Sequence, residues 1–325
     1  MFLVHNYSAD FDKYLSGLPF SGTADRLYEP IRYILSLGGK RLRPTLLMMA
    51  YELYKDDIST VMPQATALEV YHNFTLLHDD LMDKSDMRRG KETVHNKWND
   101  NVAILSGDAM LILAYRYLFQ QLDPSCASAV QQLFTDTALE VCEGQQLDLE
   151  FEHRRDVKEA EYMTMIRLKT AVLLAASLKM GTLLAHASAA DADALYNFGI
   201  GVGLAFQLRD DLLDVYGDPA VFGKKNGGDI CANKKTYMLI KALEEADEAT
   251  RLELNRWIDR KVFDPIQKVA AITAIYDQLK IREFCEIKMK MCYDQALSSL
   301  AAVSLPAAKK QDLLDFAEHL MFRTT

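Results

Sequence analysis

The sequence is poor in the residues that interrupt helices. Of its 325 residues, only 15 are glycine and 8 are proline. Both counts are below average usage, which favours long helices over a turn-rich β fold. We find no segment with the alternation of polar and apolar residues that is typical of a strand. An all-α fold is therefore expected.

Cysteine is scarce and dispersed. The 5 cysteines include no C-x-x-C pair, which argues against a disulfide framework and favours reduced thiols in the cytoplasm. The first ten residues contain neither a basic region nor an apolar run of signal-peptide length. The most apolar stretch, residues 171–190, is interrupted by Lys179 and His186. We interpret it as a buried core helix and not as a membrane span.

Positive charge is outweighed by negative charge. The chain has 37 Lys and Arg against 46 Asp and Glu, a net charge of −9. This balance argues against general affinity for nucleic acid or for an anionic membrane. We expect no nucleic-acid partner and no stable membrane insertion. Half of the residues are hydrophobic and 26% are charged, as in a globular protein.

Helical periodicity recurs along the chain, and no linker or low-complexity stretch marks a boundary. We predict one all-α domain over residues 1–325, a large helical bundle. Pro30 and Pro44 are each expected in the first turn of a helix. The predicted helices cover residues 24–37, 44–56, 60–84, 95–121, 125–151, 159–187, 191–215, 234–246, 248–260, 264–278, 280–302 and 307–322.

One acidic pattern, D-D-x-x-D, occurs twice. Its carboxylates are Asp79, Asp80 and Asp83 in the first copy and Asp210, Asp211 and Asp214 in the second. On a helix, the three carboxylates of each copy fall within about 100° of arc. Their repulsion costs stability unless a cation binds there. Mg²⁺ takes carboxylate oxygens and keeps waters and substrate phosphates as its other ligands. Two such faces opposite each other would hold a metal diphosphate.

The alternative for a single copy is an acidic surface patch, which is common in globular proteins. Here each copy closes a hydrophobic stretch, residues 68–77 and residues 200–208. A surface patch is expected in a polar stretch. Two copies in this setting therefore favour metal sites over solvated faces.

Cationic loops accompany the acidic clusters. Residues 38–44 place three cations beside two glycines, and residues 88–91 follow the first cluster. Residues 223–229 and 234–236 follow the second cluster. Each run alone is typical of a solvated loop. Because Arg binds phosphate in bidentate fashion and Lys binds it as a point charge, the combination indicates sites for a polyanion with bound metal.

At these positions the chain resembles the trans-isoprenyl diphosphate synthases, the polyprenyl synthetase family that includes farnesyl and geranylgeranyl diphosphate synthases. Eight ordered segments carry the resemblance, over about residues 38–237. They are G-G-K-R-L-R-P (38–44), L-L-H-D-D-L-M-D (76–83), M-R-R-G-K (87–91), S-G-D-A (106–109), E-G-Q-Q-L-D (143–148), K-T (169–170), F-Q-L-R-D-D-L-L-D (206–214) and F-G-K-K-N-G-G-D-I (222–230).

The resemblance implies an isoprenoid synthase fold with a central active-site cavity, a homodimer, and three Mg²⁺ per active site with substrate bound. It implies head-to-tail 1′-4 condensation of isopentenyl diphosphate with dimethylallyl, geranyl or farnesyl diphosphate, giving geranylgeranyl or farnesyl diphosphate. Metal ions and cations would stabilise charge on the leaving diphosphate. A dry apolar wall would protect the allylic carbocation from water.

The same resemblance assigns roles to single residues. The six motif aspartates would hold the Mg²⁺ ions that bridge the allylic diphosphate. The cations expected on that diphosphate are Arg88, Lys169, Lys224 and Lys234. The residues expected in the isopentenyl diphosphate pocket are Gly39, Lys40, Arg43, His72 and Arg89. Further residues expected to line the site are Gln145, Asp148, Thr170, Phe206 and Gln207.

The helix that leads into Asp79 bears on product length. Thr75 lies one turn before Asp79 and Tyr71 two turns before it. Phe74 is at the fifth position before the motif, where an aromatic in the family is associated with short products. A small Thr75 should let the chain pass, and Phe74 and Tyr71 should stop it at fifteen or twenty carbons, with twenty favoured. The alternative is that both rings only pack against neighbouring helices.

Two other functions are compatible with part of the pattern. A class I terpene cyclase shares the first carboxylate cluster but needs no second diphosphate site. The cations Lys40, Arg43 and Arg89 and the second D-D-x-x-D argue against this function. A non-catalytic subunit that binds prenyl diphosphates would usually carry a broken aspartate motif, and here both motifs are whole. Consumption of isopentenyl diphosphate separates these functions.

Overall fold

The computed structural model describes residues 6–217 and 227–322. Contacts between Cα atoms divide the chain into two compact units. The first unit contains the chain up to Phe134 together with Ala176–Asp193. The second contains Thr135–Ala175 together with the chain from Ala194 onward. A single domain over residues 1–325 stays a prediction.

Helices dominate both units, as expected from the scarcity of glycine and proline. The first elements are α1 (Tyr7–Ser16), α2 (Asp25–Ser36), α3 (Leu42–Glu52), a 3₁₀ turn (Ile58–Val61), α4 (Met62–Met82), β1 (Met87–Arg88), β2 (Lys91–Glu92), α5 (Val94–Lys97), α6 (Asp100–Leu118) and α7 (Pro124–His153). The remaining elements are α8 (Glu159–Ile166), a π-helical segment (Arg167–Ala171), α9 (Val172–Leu184), α10 (Ala189–Tyr216), α11 (Gly228–Ala232), α12 (Tyr237–Glu245), α13 (Glu248–Asp259), α14 (Pro265–Gln278), α15 (Ile281–Ala301), a 3₁₀ turn (Ala307–Lys310) and α16 (Gln311–Phe322).

Helix α4 forms the centre of the first unit. It packs most extensively against α6 and also against α3. Of its 21 residues, 13 are buried. A helix buried on most of its surface has little freedom to rotate or shift. The first aspartate motif, at the C-terminal end of α4, is therefore held by a rigid element.

Close helix contacts in the second unit surround the π-helical segment. A Cβ on Gly144 of α7 would lie 2.2 Å from the backbone nitrogen of Lys169. A Cβ on Gly203 of α10 would lie 2.6 Å from Cα of Ala171. Both distances are shorter than a side chain permits, so glycine lets α7 and α10 approach this segment.

All the predicted helical segments coincide with observed helices, with ends that differ by a few residues. The predicted helix 95–121 is divided, because Asn99 caps α6 by accepting the backbone N–H of Val102 at 2.9 Å. The placement of Pro30 in a first turn was wrong, since it lies inside α2. Helices α1 and α11 were missed. None of the described helices combines the length and apolar character that crossing a membrane requires.

One β-hairpin lies directly after the first aspartate motif, where no strand was expected. Met87 pairs with Glu92 and Arg88 with Lys91. The two turn residues, Arg89 and Gly90, have φ values of 50° and 74°. Positive φ at both positions is typical of a type I′ hairpin turn. Strands of two residues are too short to produce an alternating pattern, which explains the omission.

Candidate active site

The first aspartate motif lies at the end of α4, and its middle carboxylate is held by the hairpin. Arg88 donates from Nε and Nη2 to the two oxygens of Asp80, at 2.6 and 2.7 Å. Asp80 is buried, whereas Asp79 is half-buried and Asp83 is exposed. Burial raises the pKa of Asp80, and the hydrogen bonds from Arg88 oppose this shift. The fork of Arg88 thus fixes the middle carboxylate.

The second motif repeats this arrangement with different donors. Asp211, on α10, is buried and accepts hydrogen bonds from the Tyr162 hydroxyl and from Nε2 of Gln207, the latter at 3.1 Å. Thr170 in turn donates to Oε1 of Gln207 at 3.3 Å. Burial, with a contribution from the Asp229 charge, raises the pKa of Asp211 to about 7. Asp210 is exposed and Asp214 is half-buried.

A further acid, Asp229, lies beside the second motif and was not predicted as a site residue. Its backbone N–H donates to Oδ2 of Asp214 at 3.0 Å, and its carbonyl accepts the N–H of Lys234 at 2.9 Å. Burial raises the pKa of Asp229, Lys234 opposes the shift, and Asp214 and Asp210 add to it. Five carboxyl groups therefore share one local field in the second unit, those of Asp148, Asp210, Asp211, Asp214 and Asp229. Such a field favours a bound cation.

The π-helical segment places Lys169 and Thr170 beside the second motif. Lys169 donates from Nζ to Asp148 of α7 at 2.6 Å. Both residues line one cavity together with Tyr162, Gln207 and Asp211. Nε2 of Gln145, also on α7, is buried without a hydrogen-bond partner. Most of the residues predicted to line the site in this unit are therefore brought together.

The predicted isopentenyl diphosphate residues converge in the first unit. Arg89 donates to the Gly38 carbonyl. A Cβ on Gly39 would lie only 2.7 Å from Nη2 of Arg89. Nε of Arg43 is buried without a partner, and Lys40 is exposed. Burial, reinforced by the Arg89 charge, lowers the pKa of Arg43 to about 10, against the attraction of Glu69. A cluster of cations that includes a buried guanidinium nitrogen without a partner is a candidate binding site for an anion.

His72 lies within this cation cluster. Burial lowers its pKa well below 6.5, and the charges of Arg43, Arg89, Arg88 and Arg41 lower it further. The imidazole is therefore neutral at physiological pH. It can donate one hydrogen bond to a phosphate but contributes no charge.

The shifted pKa of His72 predicts a pH dependence of stability. A depressed histidine pKa gives stability that is complete above pH 6.5 and is lost as the pH falls below it, because the unfolded chain binds the proton better. The wild type should lose up to about 1.4 kcal/mol of its free energy of unfolding per pH unit between pH 6.5 and 5. His72→Gln should not show this loss. Urea unfolding at each pH measures it, with the exposed His153→Gln as control. Parallel pH curves for wild type and His72→Gln would contradict the prediction.

Arg41, in the same loop as Lys40 and Arg43, has a structural role. It is 5% exposed, donates to Glu69 at 2.6 Å and to Asp12 at 2.8 Å, and also donates to the Leu35 carbonyl at 2.9 Å. Glu69 is 2% exposed. The loop thus contains one internally neutralised cation between two that belong to the candidate anion site.

The residues predicted to limit product length form part of an aromatic cluster. Tyr71 is buried, with its ring centroid 5.6 Å from Phe74 and 5.4 Å from Phe134 of α7. Phe134 in turn lies 5.1 Å from Tyr115 of α6. Thr75 is half-buried and donates to the His72 carbonyl at 2.8 Å. Two rings that the sequence analysis did not select therefore support Tyr71.

Three further residues were predicted to belong to the site: Phe206, Lys224 and Lys234. Lys224 lies outside the described residues. Phe206 of α10 is half-buried, and Lys234 is exposed. The roles assigned to individual residues stay predictions.

The donor set is compatible with Mg²⁺. In the described part of the chain, no three His, Cys, Asp or Glu side chains converge closely enough to bind a metal ion alone. Mg²⁺ does not require such a cage, because it is usually held by one or two carboxylates together with substrate phosphates. The first and last aspartates of each motif are four residues apart, on one side of a helix. They are the carboxylates best suited to hold it.

An all-α fold with two aspartate motifs, each accompanied by a set of cations, is typical of the prenyltransferase class. Residues 24–278 match the Polyprenyl synthetase family. The chain belongs to this family, whose members are generally Mg²⁺-dependent.

The relatives agree with this assignment. The chain is 43% identical to a short chain isoprenyl diphosphate synthase of Methanocaldococcus jannaschii, over 71% of this chain and 70% of that protein. It is 40% identical to a geranylgeranyl diphosphate synthase of Methanosarcina mazei, over 74% and 75% of the two chains. A crystal structure of a geranylgeranyl pyrophosphate synthase superimposes with a TM-score of 0.94 at 42% identity, covering 100% of both chains.

These findings confirm the predicted family, the all-α isoprenoid synthase fold and the short-chain prenyltransferase function. The alternatives, a terpene cyclase and a non-catalytic subunit, are not supported.

Proposed function

We propose that this enzyme condenses isopentenyl diphosphate successively with dimethylallyl, geranyl and farnesyl diphosphate, releasing one diphosphate at each step, to give geranylgeranyl diphosphate. The observation that carries the proposal is that both motifs have a buried middle carboxylate fixed by protein donors. Arg88 holds Asp80, and Tyr162 with Gln207 holds Asp211. The outer aspartates flank these fixed carboxylates on the same two helices. The names of the relatives support the substrate class.

The outer aspartates of the two motifs would hold Mg²⁺, which when bound neutralises charge on the leaving diphosphate. We propose three ions per active site. These metal ligands are Asp79, Asp83, Asp210 and Asp214. Lys169, fixed by Asp148, would bind the allylic diphosphate, together with Lys234 and Lys224. Arg88 is committed to Asp80 in this structure, so its action on that diphosphate would be through Asp80 or after release from it.

The second substrate would bind to the cation cluster of the first unit. Lys40, Arg43 and Arg89 would hold the isopentenyl diphosphate, and neutral His72 would donate a hydrogen bond to it. No protein base is required, because the departing diphosphate can accept the proton that the product loses. Apolar and aromatic side chains, Phe206 among them, would keep water from the carbocation.

A homodimer is proposed on the basis of α6. Leu105, Ile112 and Phe119 are 61%, 69% and 45% exposed and recur every seven residues, so they lie on one face of the helix. An exposed apolar helix face of this kind fits a two-fold contact with a second copy. We place the enzyme in the cytoplasm because its cysteines are dispersed and free.

The function is tested by incubating the enzyme with isopentenyl diphosphate, dimethylallyl diphosphate and Mg²⁺ and identifying the dephosphorylated products by chromatography. The expected result is consumption of both substrates and a twenty-carbon alcohol. A cyclase would leave isopentenyl diphosphate unconsumed, and a non-catalytic subunit would leave both substrates. Either outcome would refute the proposal.

Replacing Arg43 with Ala should chiefly raise the Michaelis constant for isopentenyl diphosphate. A charge-assisted hydrogen bond contributes roughly 1.5–3 kcal/mol, which corresponds to ~10–150-fold. Steady-state kinetics with each substrate varied in turn measures the effect. The exposed Arg282→Ala, on α15, is the matched control. A rise confined to the allylic substrate would reverse the assignment of the two diphosphate sites.

Removing the aromatic rings that Phe74 and Tyr71 supply should lengthen the product. The double substitution Tyr71→Ala with Phe74→Ala opens space one to two turns before Asp79, and one turn of ~5.4 Å is on the order of one extended isoprene unit. Chromatography of the products measures the shift. An unchanged distribution would place the end of the chain elsewhere. Products of thirty carbons or more from the unmodified enzyme would show that these rings do not stop elongation.

A further inference from the structure

The connection between α13 and α14 exposes an apolar surface. Val262 is 87% exposed and Ile266 is 80% exposed. Among the large hydrophobic side chains of the described residues, these two are the most exposed. We call residues 256–266 the α13–α14 tip. Single exposed aliphatic residues are ordinary, but two at this exposure, one in the connection and one in the first turn of α14, indicate a partner.

The tip is held by buried contacts beneath it. Phe263, between the two exposed residues, is half-buried, and Nζ of Lys268 lies 4.2 Å from its ring centroid. Lys268 is fully buried and donates to Oδ1 of Asn233 at 2.6 Å and to the Cys231 carbonyl at 3.3 Å. Because Phe263 packs inward against Lys268, the packing of the loop keeps Val262 exposed.

The uncompensated charge of the tip is positive. Arg256, Arg260 and Lys261 form no ion pair within the described part of the chain. Of the two acids of the tip, Asp259 is compensated by an ion pair, whereas Asp264 keeps its charge, which leaves a surplus of two positive charges. Asp259 pairs with Arg155 at 2.6 Å, and Asp264 caps α14 by accepting the N–H of Gln267 at 3.0 Å. A chain with a net charge of −9 thus concentrates three unpaired cations beside its most exposed aliphatic side chains.

An aromatic side chain completes the surface. The guanidinium of Arg260 lies 5.2 Å from the ring centroid of Trp257, and Trp257 is half-buried. Tryptophan with neighbouring arginine is typical of the boundary between lipid headgroups and acyl chains. Aliphatic, aromatic and cationic groups together match the layers of an anionic bilayer surface.

We propose that the α13–α14 tip binds the surface of an anionic lipid bilayer, with Val262 and Ile266 inserted at the headgroup boundary and Arg256, Arg260 and Lys261 on the headgroups. Binding of this kind is peripheral and reversible. It is independent of the proposed reaction. The proposed product has an apolar chain, and a bilayer at the tip would be a destination for that product.

Vesicle sedimentation with the full chain tests the proposal. The probes are vesicles of phosphatidylcholine alone and vesicles with about one third phosphatidylglycerol, at low and at physiological salt. The wild type should bind the anionic vesicles, and more weakly as salt rises. Arg260→Ser with Lys261→Ser should lower the partition constant about 25-fold, since each cation contributes about fivefold. Val262→Ser with Ile266→Ser should lower it by about tenfold or more.

The matched control is Ile287→Ser with Met291→Ser, which removes two aliphatic groups that are 59% and 61% exposed on α15. This variant should bind vesicles like the wild type. Thermal unfolding of every variant verifies folding and does not depend on the proposed function.

Equal binding by wild type and both tip variants, or no binding by the wild type, would overturn the proposal. Light scattering tests the alternative that the tip contacts a second copy of the chain and not a bilayer. A change of oligomeric state in Val262→Ser with Ile266→Ser would show that the tip contacts a second copy of the chain, which also overturns it.

Discussion

Asp79→Ala and Asp210→Ala should each lower turnover by at least ~100-fold. Both residues are outer carboxylates, and the middle carboxylate of each motif is already engaged with protein donors. Loss of a group that stabilises charge on a leaving diphosphate costs this much or more in the rate of ionisation. Single-turnover kinetics with saturating substrates measures the effect, and chelation of Mg²⁺ by EDTA should abolish activity.

Asp136→Ala is the matched control, because Asp136 is an exposed aspartate of α7 outside both motifs. It should keep wild-type turnover. Full activity in EDTA, or in either motif variant, would refute metal dependence through these carboxylates. Unchanged unfolding midpoints would show that the variants lose chemistry and not structure.

Arg41→Met should lower the free energy of unfolding by about 3–5 kcal/mol, the effect of leaving a buried charge without its partner. The charge left behind is that of Glu69, which is 2% exposed. The double substitution Arg41→Met with Glu69→Met should recover most of the loss, because it removes both charges. Urea unfolding measures both changes.

Arg43→Met is the comparison within the same loop. Nε of Arg43 has no partner, and burial lowers the pKa of its guanidinium to about 10. A cation in this state opposes folding, so its removal should leave stability equal or higher. A loss comparable to that of Arg41→Met would falsify this division between a structural cation and a binding cation.

The positions of the helices were predictable because their causes are local. Low glycine and proline content and apolar periodicity act within each segment, so α4, α7 and α10 were found with nearly their observed ends. The two aspartate motifs were also predictable, since three carboxylates on one helix face form a local pattern. The sequence did not separate the outer from the middle aspartates, because the donors that hold Asp80 and Asp211 are seen only in the structure.

Residues whose role depends on distant partners were not predictable. Tyr162 has the appearance of a core aromatic until its hydroxyl is seen on Asp211, 49 positions away. The family resemblance selected Arg43 and left Arg41 without a role, and the structural role of Arg41 is visible only in its tertiary partner Glu69. Asp229 was visible inside a matching segment, but its place beside Asp214 results from the turn at Gly227, whose φ is 84°.

The π-helical segment fixes the length of the helix that contains it. One additional residue in a helical turn displaces all later side chains by about 100° around the axis. On one side of the segment Tyr162 must meet Asp211, and on the other side residues 171–178 are all buried. Neither side can turn to absorb a change of register. An inserted or deleted residue between Arg167 and Ala171 would therefore separate Lys169 from Asp148 and misalign one of the two flanks of the segment.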